Sequence, residues 1–223
     1  MRTKSRVMLA VLSFWFQTFL FVPVFAQEKP APTAEQAWEQ LKKGNKQFVA
    51  DQLEQKALGA ERRHELAKGQ HPFAIVLTCA DSRVAPEFIF NQGLGDIFVL
   101  RVAGNIADPF VLGSMEYAVE HLHAPLVVVL GHTKCGAVDA ALGEHKPAGN
   151  LGKLVEEVYV GQDLPKEKAA SLEAAIKNNV QHQAELLTQK SEVVKEFVDH
   201  KKVRIVSGVY NLATGKVEWL DEK

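Results

Sequence analysis

Two apolar runs, each ending in residues that carry chemistry, constrain this chain more than any other feature. Ala74-Ile75-Val76-Leu77-Thr78 leads directly into Cys79-Ala80-Asp81-Ser82-Arg83. Leu126-Val127-Val128-Val129-Leu130 leads, one glycine later, into His132-Thr133-Lys134-Cys135. Short runs of β-branched and aliphatic residues without polar alternation suit strands buried on both faces. Such strands belong to a mainly parallel sheet flanked by helices. Sites in these sheets form beyond the carboxyl ends of the strands, where the winding reverses. If the two runs are neighbours, two thiols, an imidazole, a carboxylate and a guanidinium meet there.

Elsewhere helix and strand patterns alternate, which predicts an α/β fold. Thr33 and Gln36 have the spacing of a capping box, and Glu35 adds a first-turn negative charge. Trp38, Leu41 and Phe48 then recur on one helical face. A short helix is predicted over Glu61 to Lys68, and a strand over 73–78. Helix-like Pro86 to Phe90 follows, broken by Gly93 and Gly95. Further strands are predicted over 96–102, 126–130 and 203–209. Helices are predicted over 111–123 and 137–142, with a Gly/Pro loop over 143–150. The segment 151–200 reads mostly as helix, with a break near 161–165. After a turn at 213–216, residues 217–220 return as an antiparallel edge strand.

With 223 residues, 47% of them hydrophobic, the chain is long enough for a substantial core. Its formal net charge of −1 offers no basic excess of the kind nucleic acid attracts. The first residues read differently from the rest. Arg2, Lys4 and Arg6 precede a mostly apolar stretch, and Val24-Phe25-Ala26 places small residues at a cleavage site. This predicts a secretory signal peptide over 1–26, a Pro-bearing linker over 27–32 and a single domain over 33–223. The apolar run is short for a membrane span, so no stable membrane association is expected after cleavage. Cleavage removes three positive charges and no negative ones, taking the net charge to about −4. The expected location is outside the cytoplasm, in the periplasm.

Two cysteines in an exported chain first suggest a disulfide. His132, three residues before Cys135, points instead to zinc. Zinc takes Cys and His ligands tetrahedrally, and catalytic sites keep three protein ligands, Cys₂His being one such set. A lone H-x-x-C or C-x-D-x-R is weak, whereas both together after apolar strands are far more specific. Asp81 has two roles open to it. It can bind zinc as a fourth ligand, closing the site. It can also pair with Arg83 and face zinc-bound water as an ionised acceptor.

Cys-x-Asp-x-Arg followed by His-x-x-Cys resembles the β-class carbonic anhydrases. The likeness runs from about Thr33 to Leu220 and includes Gly44-Asn45, Ala67-Lys68-Gly69-Gln70 and Gly131 to Val138. The resemblance implies a four-stranded parallel sheet with an antiparallel C-terminal edge strand. It implies one zinc per chain on Cys79, His132 and Cys135, with Asp81 and Arg83 as catalytic dyad. Zinc-bound hydroxide would attack carbon dioxide and give bicarbonate and a proton. Gln70, Phe98 and Tyr117 would line the substrate pocket, some of them across a subunit boundary in a homodimer or dimer of dimers. A subgroup with a second, inhibitory bicarbonate site carries Trp three residues before the first zinc Cys, where this chain has Val76. Arg101 occupies a position that this subgroup also uses. Two rivals stand beside this reading: a hydrolase of carbon disulfide or carbonyl sulfide on the same scaffold, and a metal-free exported binding protein stapled by a Cys79–Cys135 disulfide.

Overall fold

Thr33 opens the first helix, α1 (Ala34–Val49), through a reciprocal cap. The Gln36 N–H donates to Thr33 Oγ1 (3.2 Å) and the Thr33 N–H donates to Gln36 Oε1 (2.9 Å). The computed structural model describes residues 31–221, so the predicted signal peptide and most of the linker lie outside the described residues. Helix α1 buries Trp38 and Leu41 and half-buries Phe48. Its Asn45 ties it to the rest of the chain. The amide donates to the carbonyls of Ile89 (3.2 Å) and Gly215 (2.8 Å), and its oxygen accepts from the Val217 N–H (3.0 Å).

Five strands form one sheet: β1 (Ala74–Thr78), β2 (Ile97–Arg101), β3 (Leu126–His132), β4 (Arg204–Tyr210) and β5 (Val217–Trp219). Their order is β2-β1-β3-β4-β5. The first four are mutually parallel and β5 is antiparallel to β4, as expected from the sequence. Helix α2 (Ala60–Leu66) precedes β1, and the helices between the strands are α3 (Pro86–Ile89), α4 (Pro109–Glu120), α5 (Gly136–Leu142), α6 (Gly149–Glu156), α7 (Lys168–Lys190) and α8 (Glu192–Asp199). One sheet face packs Ala74, Val76, Leu126, Val128 and Leu130 against Trp38, Leu41, Ile89 and Phe90 of the α1 and α3 region. The other packs Ile75, Leu77, Val127 and Val129 against Met115 of α4, Ile176, Val180 and Leu187 of α7 and Val194 of α8. No helix among the described residues is long and apolar enough to cross a membrane.

Where elements differ from the sequence expectation, local chemistry explains it. Strand β3 runs two residues further, to His132, because its pairing with β4 continues to His132↔Tyr210. Helix α4 starts earlier because Asp108 Oδ1 accepts from the N–H groups of Phe110 and Val111, with Pro109 at the first helical position. The long helical stretch divides into α6, α7 and α8, with Glu167 capping α7 and Ser191 capping α8. Helix α6 begins at Gly149, inside the segment whose Gly and Pro content reads as loop.

From β1 the chain turns first to β2 on one side, and β3 then adds on the other. The winding therefore reverses between β1 and β3, which opens a crevice at their carboxyl ends. Helix α7 lies against this point: a Cβ added at Gly131 would sit 2.3 Å from Val180 Cγ2. Gly131→Ala is expected to destabilise the fold by about 1–3 kcal/mol through overpacking. A Gly131→Ala/Val180→Ala pair should be less destabilised than the two single changes added together. Urea denaturation of all four proteins in a double-mutant cycle measures this.

Candidate metal centre

The carboxyl ends of β1 and β3 lie level, with Thr78 opposite Leu130. Thr78 Oγ1 donates to the Leu130 carbonyl across the pair (2.8 Å). Cys79 is the next residue of one segment, and His132 ends the other. Cys135 follows three residues later as the N-cap of α5. All three side chains are buried, and their ligand atoms lie within 4.8 Å of one another. The sulfurs are 4.0 Å apart, about twice a disulfide bond length of roughly 2.05 Å, and both cysteines are free thiols.

The imidazole is oriented for ligation. His132 Nδ1 lies 3.0 Å from the Thr133 carbonyl oxygen, which can only accept, so Nδ1 carries the proton. That leaves a lone pair on Nε2, a fully buried atom with no hydrogen-bond partner in the protein. A buried acceptor without a partner is costly unless something binds it. Two thiols and one such imidazole form a donor set suited to a soft or borderline divalent cation. The thiols do not behave alike in the metal-free protein. The hydrogen bond shared with Cys135 lowers the pKa of Cys79, while the same bond, burial and the charge on Cys79 raise that of Cys135. Binding a metal through both sulfurs would displace the shared proton.

Asp81 stands beside the cluster, with Oδ2 3.8 Å from His132 Nε2. Arg83 holds it with three hydrogen bonds: the backbone N–H and Nε to Oδ1 (both 2.9 Å) and Nη2 to Oδ2 (2.7 Å). Arg83 thus engages both carboxylate oxygens of Asp81. The Arg83 hydrogen bonds hold its pKa well below the usual carboxylate range, despite an opposing cost of burial.

Two groups at the site were not assigned a contact from sequence. Arg101, which ends β2, donates from Nε to the Cys79 carbonyl (3.2 Å) and from Nη2 to the Asp81 carbonyl (2.7 Å), bracing the loop between them. The Gly104 N–H donates to Cys79 Sγ (3.4 Å). Parallel pairing of β1 with β2 is the signal that would have brought both within reach, since Thr78 lies opposite Arg101.

The predicted pocket residues lie elsewhere in the single chain. Gln70 is exposed before the amino end of β1, beside Arg63, Leu66, Leu94 and Gly95. A five-residue strand, about 17 Å long, separates that end from the one bearing Cys79. Phe98 lies opposite Ile75, four residues short of Cys79. Its ring centroid is 6.4 Å from that of Tyr117, which is 47% exposed on α4.

The family model for carbonic anhydrase matches residues 74–217. A Mycobacterium tuberculosis protein named carbonic anhydrase 2 is 41% identical over 185 residues, covering 81% of this chain and 89% of its own. A β-carbonic anhydrase from Coccomyxa, solved with acetazolamide, superposes with a TM-score of 0.67 at 26% identity, covering 80% of this chain and 83% of its own. A structure reported among two tetrameric β-carbonic anhydrases of Sordaria macrospora superposes with a TM-score of 0.62 at 25% identity, covering 72% of this chain and 86% of its own. The parallel sheet with thiol and imidazole donors at its switch point is the architecture of a β-class enzyme. This chain belongs to the carbonic anhydrase family.

The lowered pKa of Asp81 has a definite sign. A depressed folded-state value stabilises the fold above the unfolded value and loses that contribution only as pH falls through the folded one. The Asp81 carboxylate should therefore remain ionised well below about pH 4, the ordinary Asp value. Arg83→Ala should bring its titration back towards that value. Carbon-13 NMR of the Asp81 carboxyl in both proteins checks this, and protonation of the parent at or above the ordinary value contradicts it.

Proposed function

We propose that this carbonic anhydrase works with one zinc ion held by Cys79, His132 and Cys135, and that Asp81, fixed by Arg83, orients the attacking water. The observation that carries the reading is the position of Asp81 Oδ2, 3.8 Å from the free nitrogen of His132 while Arg83 grips the same carboxylate. Zinc bound there supplies the Lewis acidity that lets water ionise near neutral pH. The rest is work for the protein. His132 presents Nε2 because Thr133 fixes its Nδ1 proton. Asp81 is held ionised, so it is an available acceptor but a poor base. It aims a hydroxyl hydrogen without storing the proton, which leaves to solvent and buffer.

Carbon dioxide is small and apolar, and it suits a pocket with aromatic walls and one amide donor. Gln70 is separated from its own cluster by the length of β1. Phe98 and Tyr117 also sit towards the far end of the strands. We assign these residues to a pocket completed by a second copy of the chain, in a homodimer or dimer of dimers. The tetrameric description of the Sordaria proteins supports an oligomer. The basic start, the apolar run and Val24-Phe25-Ala26 support export, with Gln27 as the mature amino terminus.

Metal analysis beside a thiol assay under denaturing conditions tests the centre. One zinc and two thiols per chain are expected; no metal and no thiols would sink the reading in favour of a disulfide-stapled protein. Asp81→Asn should keep its zinc and lose roughly 10- to 100-fold of the carbon dioxide hydration rate, the usual cost of removing a group that orients a metal site. Hydration by the variant at the parent rate would remove Asp81 from the mechanism. For export, mass spectrometry of the protein from its native host should give a chain beginning at Gln27. An intact Met1 rules that out.

A further inference from the structure

Helix α7 is polar at two positions where it is most deeply buried. Asn179 and Gln183, four residues apart and so on one face, are both essentially without solvent exposure. Buried amides are costly unless they are hydrogen-bonded, and each side-chain nitrogen and oxygen of these two has a partner. Asn179 Nδ2 donates to the Gly104 carbonyl (2.8 Å), while Asn179 Oδ1 accepts from the Tyr159 N–H (3.1 Å) and from Gln183 Nε2 (3.2 Å). Gln183 Oε1 accepts from the Ala107 N–H (2.8 Å), and Nε2 also donates to the Glu157 carbonyl (2.9 Å). The pair clasps the segment 104–107 and joins it to the stretch after α6.

That segment touches the metal centre. Gly104 and Asn105 both have left-handed backbone, with φ of 71° and 46°. This conformation is tolerated by Gly and Asn but persists only where its surroundings hold it. It directs the Gly104 N–H at Cys79 Sγ (3.4 Å). The turn also makes an internal backbone bond, Asn105 N–H to the Val102 carbonyl (3.0 Å). Asn179 is the side chain that grips Gly104 itself.

We propose that Asn179 is a positioning residue for the metal centre: by holding the Gly104 carbonyl from α7, it aims the Gly104 N–H at the Cys79 sulfur. An N–H bond to a ligating thiolate withdraws charge from the sulfur and fixes its direction. Groups of this kind around a metal site tune affinity and reactivity without touching the metal. With two thiolates in the ligand set, relief of sulfur charge is worth more here than beside imidazoles. The proposal rests on Cys79 being a metal ligand, and the experiment separates the two claims.

Load the full protein with cadmium-113 in place of zinc and record a proton–cadmium correlation spectrum. Coupling between the metal and the Cys79 β-protons tests ligation; its absence refutes the ligand reading and the proposal with it. A further cross-peak from the Gly104 amide proton, transmitted through the sulfur, is expected in the parent. Its absence, with Cys79 coupling present, overturns the proposal alone. Asn179→Leu should lose the Gly104 cross-peak and raise the zinc Kd by roughly 10- to 100-fold. Leu187→Ala, which removes a fully buried side chain two turns further along α7, is the control for lost stability. It should lower Tm yet keep both the cross-peak and the Kd. If Asn179→Leu keeps both as well, or if the control loses both, Asn179 has no special role. Should Asn179→Leu not fold, Asn179→Ser is read in the same way, because it admits water but is too short to reach Gly104. If neither variant folds while Leu187→Ala does, the residue serves folding and the proposal fails.

Discussion

Parallel pairing of β1 with β3 is the constraint on which everything at the site depends. The pairing sets Thr78 opposite Leu130, and the Thr78 hydroxyl bonds across the strand ends to the Leu130 carbonyl. Cys79 and His132 are brought together because one directly follows β1 and the other ends β3. A register slip of one residue would turn the side chains to the opposite face and separate the donors. The pairing is protected by burial, since every residue of both strands is enclosed. Each buried Val, Leu or Ile contributes about 1.5–3 kcal/mol. The core therefore supplies the stability, and the donors are left to chemistry.

Polarity changes in steps across the centre. His132 is sealed from solvent, Cys79 and Cys135 are nearly so, and Asp81 is partly open, while the Arg83 that holds it reaches into water. Burial of the first three disfavours charge in the metal-free state and so favours a cation that all three can share. The open edge has the reverse effect. An Arg–carboxylate pair at partial exposure adds little to stability, but its geometry is directional and keeps Asp81 ionised. Arg101 adds rigidity from the third side by gripping the backbone of Cys79 and Asp81 rather than their side chains.

The parts of this arrangement legible in the sequence are those written locally. The capping box at Thr33, the apolar strands, and the Cys-x-Asp-x-Arg and His-x-x-Cys groups each declare themselves within a few residues. Their meeting follows from sheet topology, which alternation of helix and strand also announces. Contacts made by backbone were hidden. The Gly104 N–H carries no side-chain signature, and Arg101 acts on carbonyls. Asn179 and Gln183 were hidden for another reason: in the sequence they interrupt an apolar face, and only the fold, bringing residues 75 and 76 positions away, supplies their partners. Gln70, Phe98 and Tyr117 are named by resemblance, and a single chain holds them away from the cluster.

Helix α7 gives these scattered contacts a common reference. It presses Val180 against Gly131, immediately before His132, and from the preceding residue holds Gly104, beside Cys79. The two strand ends that carry the donors are thus both indexed to one rigid element. Strand pairing alone sets the separation of β1 and β3 but leaves the angles of the side chains beyond their ends free. A metal site tolerates only about 0.5 Å of error in its ligands. Close contact at a glycine limits translation, and a hydrogen-bonded amide pair limits rotation. An apolar pair at the Asn179 and Gln183 positions would bury more readily, yet it would leave the Gly104 carbonyl and the Ala107 N–H without partners. The polar face of α7 is the form a helix takes when it must hold backbone in place as well as fill a core.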